Sequence, residues 1–431
     1  MPPPALQLPA EVWNHILGYL SLPDKSSVRA SCRHFKTLVD NASLWKDWSV
    51  HLGFQKGSYN SQFWATLRRR RVTSVVMRST KAKDWRQLAQ CLPALTTVVM
   101  DRSCHASLDA LKHFPGLRRL AIRNSSKTSL ELGASTVQQP QQLTHLSICN
   151  VTFDSSRMDK FISSVSQFTN LTSLVCHEMW IFEETIWMVR SMLDCLPKLK
   201  HLSLSDVKTW RVFPDKFRSS ALEGAGAPVL SSFELINCTD DSLPEDAMRL
   251  MPSLKNLAVF YQHTHQQMPS PDACQLKTWL SDLPQLSTLV VVKGPPVMTY
   301  ITSIPATVTS LTLCVAGLSP EDMAAVSLQA PNLLHLHIDP WPSHLGAHTG
   351  QIARLFPKLK SLKLRHEHVP ERAFLRLHQL QDLEYLEILD SSPHLSELTD
   401  RLRALTKDRL QITASPRRRD VLLCPCVCQV Y

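Results

Sequence analysis

Histidine pairs are the first residues of this sequence whose spacing is open to a chemical interpretation. Three pairs have the i, i+2 spacing that places two imidazoles on one face of a strand. They are His263/His265, His335/His337 and His366/His368. No pair is accompanied by a third candidate ligand, whereas a zinc site needs three or four protein ligands. The sequence therefore predicts neither a metal site nor a bound cofactor.

The twelve cysteines are scattered through 431 residues, and no C-x-x-C pair occurs among them. The ligand spacing of zinc fingers and RING domains is thus absent. The sequence also lacks H-E-x-x-H, G-x-S-x-G and glycine-rich phosphate-binding motifs. No cysteine has neighbours of the kind that lower a thiol pKa. We therefore expect a non-catalytic protein whose cysteines are free thiols.

Composition favours an intracellular globular protein with an acidic partner. The chain has 47 Lys and Arg residues against 37 Asp and Glu, and hydrophobic residues make up 44% of it. No apolar run approaches the roughly 18 residues of a membrane span. The start, MPPPALQLPAEVW, has neither the basic nor the apolar region of a secretory signal. We expect a cytoplasmic or nuclear location without stable membrane insertion.

A short repeat runs through most of the chain. Its full form is apolar-Pro-x-Leu-x-x-Leu-x-apolar, although some copies lack the proline. Clear examples are LPKLKHLSL (196–204), LPQLSTLVV (283–291) and FPKLKSLKL (356–364). The leading apolar residues of thirteen copies lie between positions 72 and 383, about 26 residues apart on average. Because the last apolar residues of each copy alternate with polar ones, the pattern predicts a strand with one buried face.

The segments between the copies have apolar residues at spacings of three and four, which is typical of amphipathic helices. Examples are 107–114, 157–168, 183–196 and 320–330. The prolines that begin many copies follow these segments, where a proline ends a helix. Each unit is therefore predicted to be a strand with a returning helix. Such a unit buries its apolar face only when it stacks on its neighbours.

This pattern resembles the leucine-rich repeat family, and the resemblance covers residues 72–412. It implies an α/β fold: a horseshoe-shaped solenoid of about 13 strand–helix units with the strands on its concave face. A leucine-rich helical bundle is a poorer interpretation, because a bundle would not repeat a short alternating strand after each proline.

The first fifty residues do not follow the repeat, and their apolar spacing predicts three short helices. The segment resembles the F-box family. The resemblance rests on LPxE at 8–11, ILxYL at 16–20, PD at 23–24, Val28, Cys32-Arg33, LV at 38–39 and LWK at 44–46. The chain is thus interpreted as an F-box domain (1–50), a basic junction (51–71), a repeat solenoid (72–412) and a basic, cysteine-containing tail (413–431).

The F-box resemblance implies docking to the Skp adaptor and, through it, to a cullin–RING ubiquitin ligase core. By that resemblance eight residues contact the adaptor or support the contact. They are Leu8, Pro9, Ile16, Leu17, Leu20, Val28, Cys32 and Trp45. The chain departs from the family at Lys25-Ser26 and at Ser31, where apolar residues are usual. The combination with leucine-rich repeats implies the substrate receptor of an SCF-type ligase.

The positions between the buried leucines are expected to line the concave face and to bind the substrate. The basic and histidine positions of this set are Arg118, Arg119, His145, Lys200, His201, Lys255, His335, His337, Lys360 and Lys363. The last clear copy carries Glu384 and Glu387 instead. This distribution suggests an acidic or phosphorylated protein segment as substrate. An equally weighted interpretation is that these side chains are only a solvated polar surface.

Two further functions stay open at this point. The chain is a non-ligase interaction scaffold if the helical segment is merely a cap on the solenoid. It is an RNA-binding solenoid if a continuous basic stripe carries stacking aromatic residues, but Glu384 and Glu387 interrupt that stripe, so no nucleic-acid partner is predicted.

Two basic segments lie outside these patterns. Arg68-Arg69-Arg70-Arg71 suggests a solvated helix end or, alternatively, a nuclear import patch. At the other end, Cys428-Gln429-Val430-Tyr431 has the outline of a C-terminal lipidation signal, although Gln429 and Tyr431 are atypical of one. The sequence favours an unmodified end at Cys428.

Overall fold

The computed structural model of the chain describes residues 8–46, 48–54, 59–78, 82–101, 108–125, 140–151, 158–178, 185–205, 229–239, 242–262, 274–340, 348–365, 369–390 and 395–415. The chain forms two compact units. The first holds nearly all residues up to Leu171, and the second holds nearly all residues from Thr172 onward.

The first unit begins with three short helices and a 3-10 turn. These are α1 (Ala10–Gly18), α2 (Leu22–Ser31), α3 (Arg33–Val39) and the turn Ala42–Trp45. Helix α2 starts after Ser21, whose hydroxyl oxygen accepts the amide N–H of Asp24. The small core of these helices consists of Leu17, Val39, Leu44 and Trp45.

Five parallel strands follow in the first unit. They are β1 (Ser49–Gly53), β2 (Ser74–Arg78), β3 (Thr97–Asp101), β4 (Arg119–Ser125) and β5 (His145–Val151). Each pairs with the next in sequence order. The connecting elements are α4 (Ser61–Arg69), α5 (Ala82–Cys91) and the 3-10 turns Leu108–His113 and Pro140–Gln142, and α6 (Met158–Val165) follows β5.

Ten parallel strands form the second unit, again paired in sequence order. They are β6 (Ser173–His177), β7 (His201–Ser205), β8 (Ser232–Cys238), β9 (Asn256–Tyr261), β10 (Thr288–Val292), β11 (Ser310–Cys314), β12 (His335–Ile338), β13 (Ser361–Leu364), β14 (Tyr385–Leu389) and β15 (Gln411–Ser415).

Helices and 3-10 turns connect the strands of the second unit. The helices are α7 (Thr185–Cys195), α8 (Gln275–Ser281), α9 (Pro320–Gln329), α10 (Thr349–Leu355), α11 (Glu371–Leu375) and α12 (Leu395–Leu405). The 3-10 turns are Ala247–Leu250, Val297–Thr299, Ile301–Ser303 and Arg376–Gln379. Among the described residues, no helix is both long and apolar enough to cross a bilayer.

Alternate residues of the strands form the core, as the repeat pattern predicts. In β4, Leu120 and Ile122 are buried while Arg119 is exposed, and β12 repeats this with Leu336, Ile338 and His335. Within each compact unit, neighbouring repeats share a buried apolar layer, and the α/β repeat solenoid predicted from the sequence is thereby confirmed.

Asparagines at the ends of three strands turn the chain out of the sheet. Asn124, Asn150 and Asn237 have φ angles of 52°, 51° and 56°, a left-handed conformation that asparagine tolerates better than most residues. In the first unit they also form a ladder, because Asn150 donates to Asn124 at 3.0 Å and Asn124 donates to Asp101 at 2.9 Å.

The thirteen predicted strands are all present, each beginning two residues after its leading apolar position, but the structure adds β1 and β15. Strand β15 was missed because Arg409 stands in register with the buried Leu383 of the preceding copy. Its guanidinium donates to the carbonyl oxygens of Leu380 and Leu383 at 3.0 and 2.9 Å. Strand β1 and helix α4 occupy the stretch predicted to be a basic junction.

A buried carboxylate joins the N-terminal helices to α4. Asp40 is 3% exposed, and it accepts from Arg29, Arg69 and Arg70 at 2.9, 2.6 and 2.8 Å. The Arg70 guanidinium also lies 3.7 Å from the centre of the Trp45 ring. The interpretation of this arginine run as a solvated helix end is therefore wrong for Arg70, whose side chain is only 14% exposed.

The same contacts govern the ionisation of Asp40. Burial by itself raises the pKa of this carboxyl, but the hydrogen bonds and positive charges of Arg29 and Arg70 outweigh burial, and the pKa is lowered. Asp40 is therefore charged at neutral pH and fully paired inside the first unit.

We expect Asp40→Asn to lower the free energy of unfolding by about 3 kcal/mol, because the three arginines lose a buried counter-charge. Urea denaturation followed by tryptophan fluorescence measures this. The matched control is Asp400→Asn, whose side chain is 71% exposed and pairs with Arg403 on one helix; we expect about 0.5 kcal/mol or less there. Equal losses in the two variants would contradict the role given to Asp40.

Candidate functional site

The N-terminal helices present an apolar strip that their own core does not cover. Leu8, Val12 and Ile16 are 43%, 41% and 41% exposed. They are spaced four residues apart and so lie along one side of α1 and its start. Tyr19 and Leu22 extend the exposed apolar surface beyond the end of this helix. We call these five residues the apolar strip.

The structure divides the eight residues predicted at the adaptor contact into an exposed and a buried group. Leu8, Pro9, Ile16 and Cys32 are exposed. Leu17 and Trp45 are in the core, against which Leu20 and Val28 pack. Trp45 also donates its indole N–H to the carbonyl oxygen of Val39. That some of these residues contact the adaptor and others support the contact remains a prediction. The exposed group is suited to contact and the buried or packed group to support.

Three residues of the strip, Val12, Tyr19 and Leu22, were not among the predicted contact residues. Val12 has the right spacing between Leu8 and Ile16, so its position was detectable. The 79% exposure of Tyr19 was not detectable, because Tyr19 and the packed Leu20 belong to one apolar run of the F-box motif.

Lys25 and Ser31, where the chain departs from the F-box pattern, leave the apolar strip uncharged. Lys25 is 2% exposed, its ammonium lies 5.0 Å from the centre of the Trp48 ring, and burial lowers its pKa. Ser26 and Ser31 donate their hydroxyls to carbonyl oxygens of their own helix at 3.0 and 2.7 Å. The two serine hydroxyls are thus satisfied within their own helix, and the Lys25 ammonium lies against an aromatic ring.

The strand positions that face away from the helices carry the residues predicted to bind a substrate. In the first unit Arg119 and His145 lie on strands and are paired across β4 and β5. In the second unit His201, His335, His337 and Lys363 lie on strands. The other predicted residues directly precede a strand and are exposed; they are Arg118, Lys200, Lys255 and Lys360.

A cavity of about 420 Å³ lies on the strand face of β11–β15 in the second unit. Its charged wall is an ion pair between Lys363 and Glu387 on adjacent strands, with the Nζ and Oε2 atoms 3.0 Å apart. His335, His337 and the ring of Tyr385 line it too, together with serine and threonine hydroxyls. The cavity wall is therefore polar and balanced in charge.

His337 is uncharged at neutral pH. Its pKa is lowered to about 4, first by burial and then by the nearby Lys363 ammonium, while the carboxylates of Asp339 and Glu387 each raise it by less. Its imidazole is thus a neutral donor and acceptor in this cavity. Contrary to its place in a basic predicted set, it adds no positive charge to the face.

A serine, a histidine and a carboxylate also meet in the second unit, but in an order unsuited to catalysis. Ser203, which is fully buried, donates its hydroxyl to Glu234 at 2.9 Å, and the ring nitrogen of His177 lies 2.7 Å from the same hydroxyl. In an activated serine the histidine takes the serine proton. Here the Glu234 carboxylate, and not the histidine, accepts the hydrogen bond of the serine hydroxyl.

Three of the thiols that the structure describes have raised pKa values, unlike reactive thiols. Burial raises the pKa of Cys176 to about 12, and it also raises the pKa values of Cys91 and Cys195. Within the described part of the chain, no three His, Cys, Asp or Glu side chains are grouped to hold a metal ion. Cys428 and the pairs His263/His265 and His366/His368 lie outside the described residues.

Comparison with known proteins identifies the first segment. Residues 5–50 match the F-box-like family. A comparison with curated protein sequences finds no match.

Among solved structures, the chain is similar to an internalin (inlF) of Listeria monocytogenes, with 13% identity, a TM-score of 0.38 and coverage of 77% of this chain and 83% of that one. It is also similar to the leucine-rich repeat-containing protein LegL7 of Legionella pneumophila, with 15% identity, a TM-score of 0.45 and coverage of 72% and 98%. The repeat architecture is established by the chain's own strand register.

We expect the stability of the chain to fall in mild acid through His337. Because the folded pKa lies below the unfolded value of 6.5, the unfolded chain takes up a proton first, so stability present above pH 6.5 is lost as the pH falls toward 4. Between pH 7 and pH 5 this amounts to about 2 kcal/mol.

His337→Gln should lose less stability over that range than the unsubstituted chain in urea denaturation at the two pH values. His335→Gln, which removes an exposed histidine of the same strand, is the matched control. An unchanged pH dependence in His337→Gln would show that this imidazole is not held neutral.

Proposed function

We propose that this chain, an F-box-like domain followed by leucine-rich repeats, is the substrate-recognition subunit of an SCF-type ubiquitin ligase. The apolar strip docks the Skp adaptor, and the strand face of the repeats binds the protein to be ubiquitinated. Its contribution is proximity, because it holds a substrate lysine near a conjugating enzyme bound elsewhere in the assembly. F-box and leucine-rich repeat proteins are typically non-catalytic interaction modules.

The observation that carries this proposal is the apolar strip on an F-box-like segment. Leu17, Val39, Leu44 and Trp45 already complete the core beneath it, so the strip is surplus to folding. Contiguous exposed apolar side chains rimmed by polar ones mark protein interaction sites. Helix-in-groove recognition reads such anchors at spacings of four residues.

The Asp40 contacts support the second part of the proposal. They fasten α2, α3 and α4 to one another within the first unit, and β1 and β2 flank α4 directly. A receptor that acts by proximity needs its adaptor-binding segment fixed on its repeats, since a loose attachment would dilute the effective concentration of the substrate.

The alternative is a leucine-rich repeat scaffold outside any ligase, with the N-terminal helices serving as a cap. An apolar strip favours the ligase proposal, because a cap needs only a polar outer face. Adaptor binding separates the two functions.

We expect Ile16→Asp to abolish capture of the chain by purified Skp adaptor, because it places a charge in the middle of the apolar strip. Leu17 and Trp45 are unsuitable for this test, since their side chains are buried and their substitution would unfold the helices. Leu328→Asp is the matched control, an equal substitution at a leucine that is 83% exposed on α9.

A pull-down with circular dichroism of each variant measures this. Binding retained by Ile16→Asp would move the adaptor contact away from the strip. Failure of the folded, unsubstituted chain to bind would favour the scaffold.

A further inference from the structure

We propose that a protein segment rich in Asp and Glu binds the strand face of the first unit at Arg78, Arg118, Arg119 and Arg123, the arginine patch. The inference rests on the proposed function, because it names the class of substrate that the repeats would capture. It places that capture in the first unit, whereas the predicted basic residues extend along the whole chain.

The register of three neighbouring strands brings the arginines together. Arg78 at the end of β2 is opposite Asp101 of β3, which is opposite Arg123 of β4. Arg119 begins the same strand β4, and the exposed Arg118 precedes it. Because side chains alternate along a strand, residues 119 and 123 lie on the same face.

On the described strands β1–β5, arginines outnumber carboxylates. The described strands β1–β5 contain three arginines and one carboxylate, that of Asp101. Both oxygens of Asp101 are engaged, since Arg78 donates to one and Asn124 to the other, each at 2.9 Å. Among the described residues, the side chains of Arg118 and Arg119 form no hydrogen bond or ion pair, and both are exposed.

One neighbour shows the electrostatic effect of the patch. The pKa of His51 on β1 is lowered, first by burial and then by the positive charge of Arg78; the Asp101 carboxylate raises it, and Arg123 lowers it again. Arg123 is only 8% exposed, so it adds to the positive potential of the surface without contacting a ligand. Arg78, Arg118 and Arg119 are exposed and can contact one. A potential of one sign over a surface favours ligands of the opposite sign.

The spacing of the charges favours several carboxylates over one phosphate. Arg78 and Arg119, which are both exposed, are separated by two strands, about 10 Å, and by four residues along the strand direction, about 13 Å. A single phosphate cannot reach both of these guanidinium groups at hydrogen-bond distance. An extended segment with acids three or four residues apart can, and Arg pairs readily with carboxylates.

The cavity of the second unit is a poorer site for the same segment. Its Lys363 ammonium is already paired with Glu387 at 3.0 Å. An incoming carboxylate would have to displace an internal one there, whereas Arg118 and Arg119 need give up no partner. RNA is also a poorer ligand, because the outward positions of the described strands β1–β5 carry no Phe, Tyr or Trp on which bases could stack.

The test is binding of a fluorescein-labelled polyglutamate peptide to the full chain, followed by fluorescence anisotropy. We expect Arg118→Glu/Arg119→Glu to weaken binding by roughly tenfold or more, and raised salt to weaken binding to the unsubstituted chain. Arg86→Glu/Lys112→Glu is the matched control. It lowers the net charge by the same amount at exposed positions of the connecting elements α5 and Leu108–His113, and its binding should be unchanged.

Several results would overturn the inference. These are no binding by the folded chain, equal loss in both double variants, or no loss in Arg118→Glu/Arg119→Glu. Tighter binding of oligouridylate, or of a neutral peptide with one phosphoserine, would assign the patch to RNA or to a phosphorylated segment instead. Skp capture measured on the same variants separates the two proposals. If the chain binds the adaptor but does not bind the polyglutamate peptide, only the proposal of the arginine patch is contradicted.

Discussion

The structure depends on a shared layer of buried leucines. A single strand with its returning helix leaves one apolar face open, and only the next unit in the stack closes it. Parallel strands about 4.8 Å apart then place equivalent residues of successive units side by side, so that a row of leucines becomes a continuous core and the intervening residues become rows on the opposite face. The chemistry of that face follows from the register of the core.

Cross-strand register decides which charges on this face remain available. Lys363 and Glu387 are neighbours because β13 and β14 pair in the same phase, and they cancel each other. Asp101 lies between Arg78 and Arg123 in the same way, and it is the single carboxylate beside three arginines on the described strands β1–β5. The strand face around β13 and β14 and the strand face around β2, β3 and β4 thus differ in electrostatic potential.

The repeat was predictable because it has a simple physical signature. Thirteen strands follow from the alternation after each leading apolar residue, and β15 escaped detection because the guanidinium of Arg409 bonds to carbonyl oxygens where an apolar side chain would pack. The division of the F-box-like residues into core and surface was only partly predictable, since Leu17 and Ile16 differ in burial while adjacent in one apolar run. The partners of Asp40 were not, because they join residues up to thirty positions apart.

The Asp40 contacts have a consequence for how this chain can be divided. The family match ends at residue 50, and a fragment cut there would retain Asp40 and Arg29 but lose Arg69 and Arg70. The Trp45 ring would lose the guanidinium stacked on it as well. The boundary of an autonomous N-terminal piece therefore lies beyond Arg70, inside the repeats, and the F-box-like segment cannot be exchanged between proteins at its sequence boundary without losing these contacts.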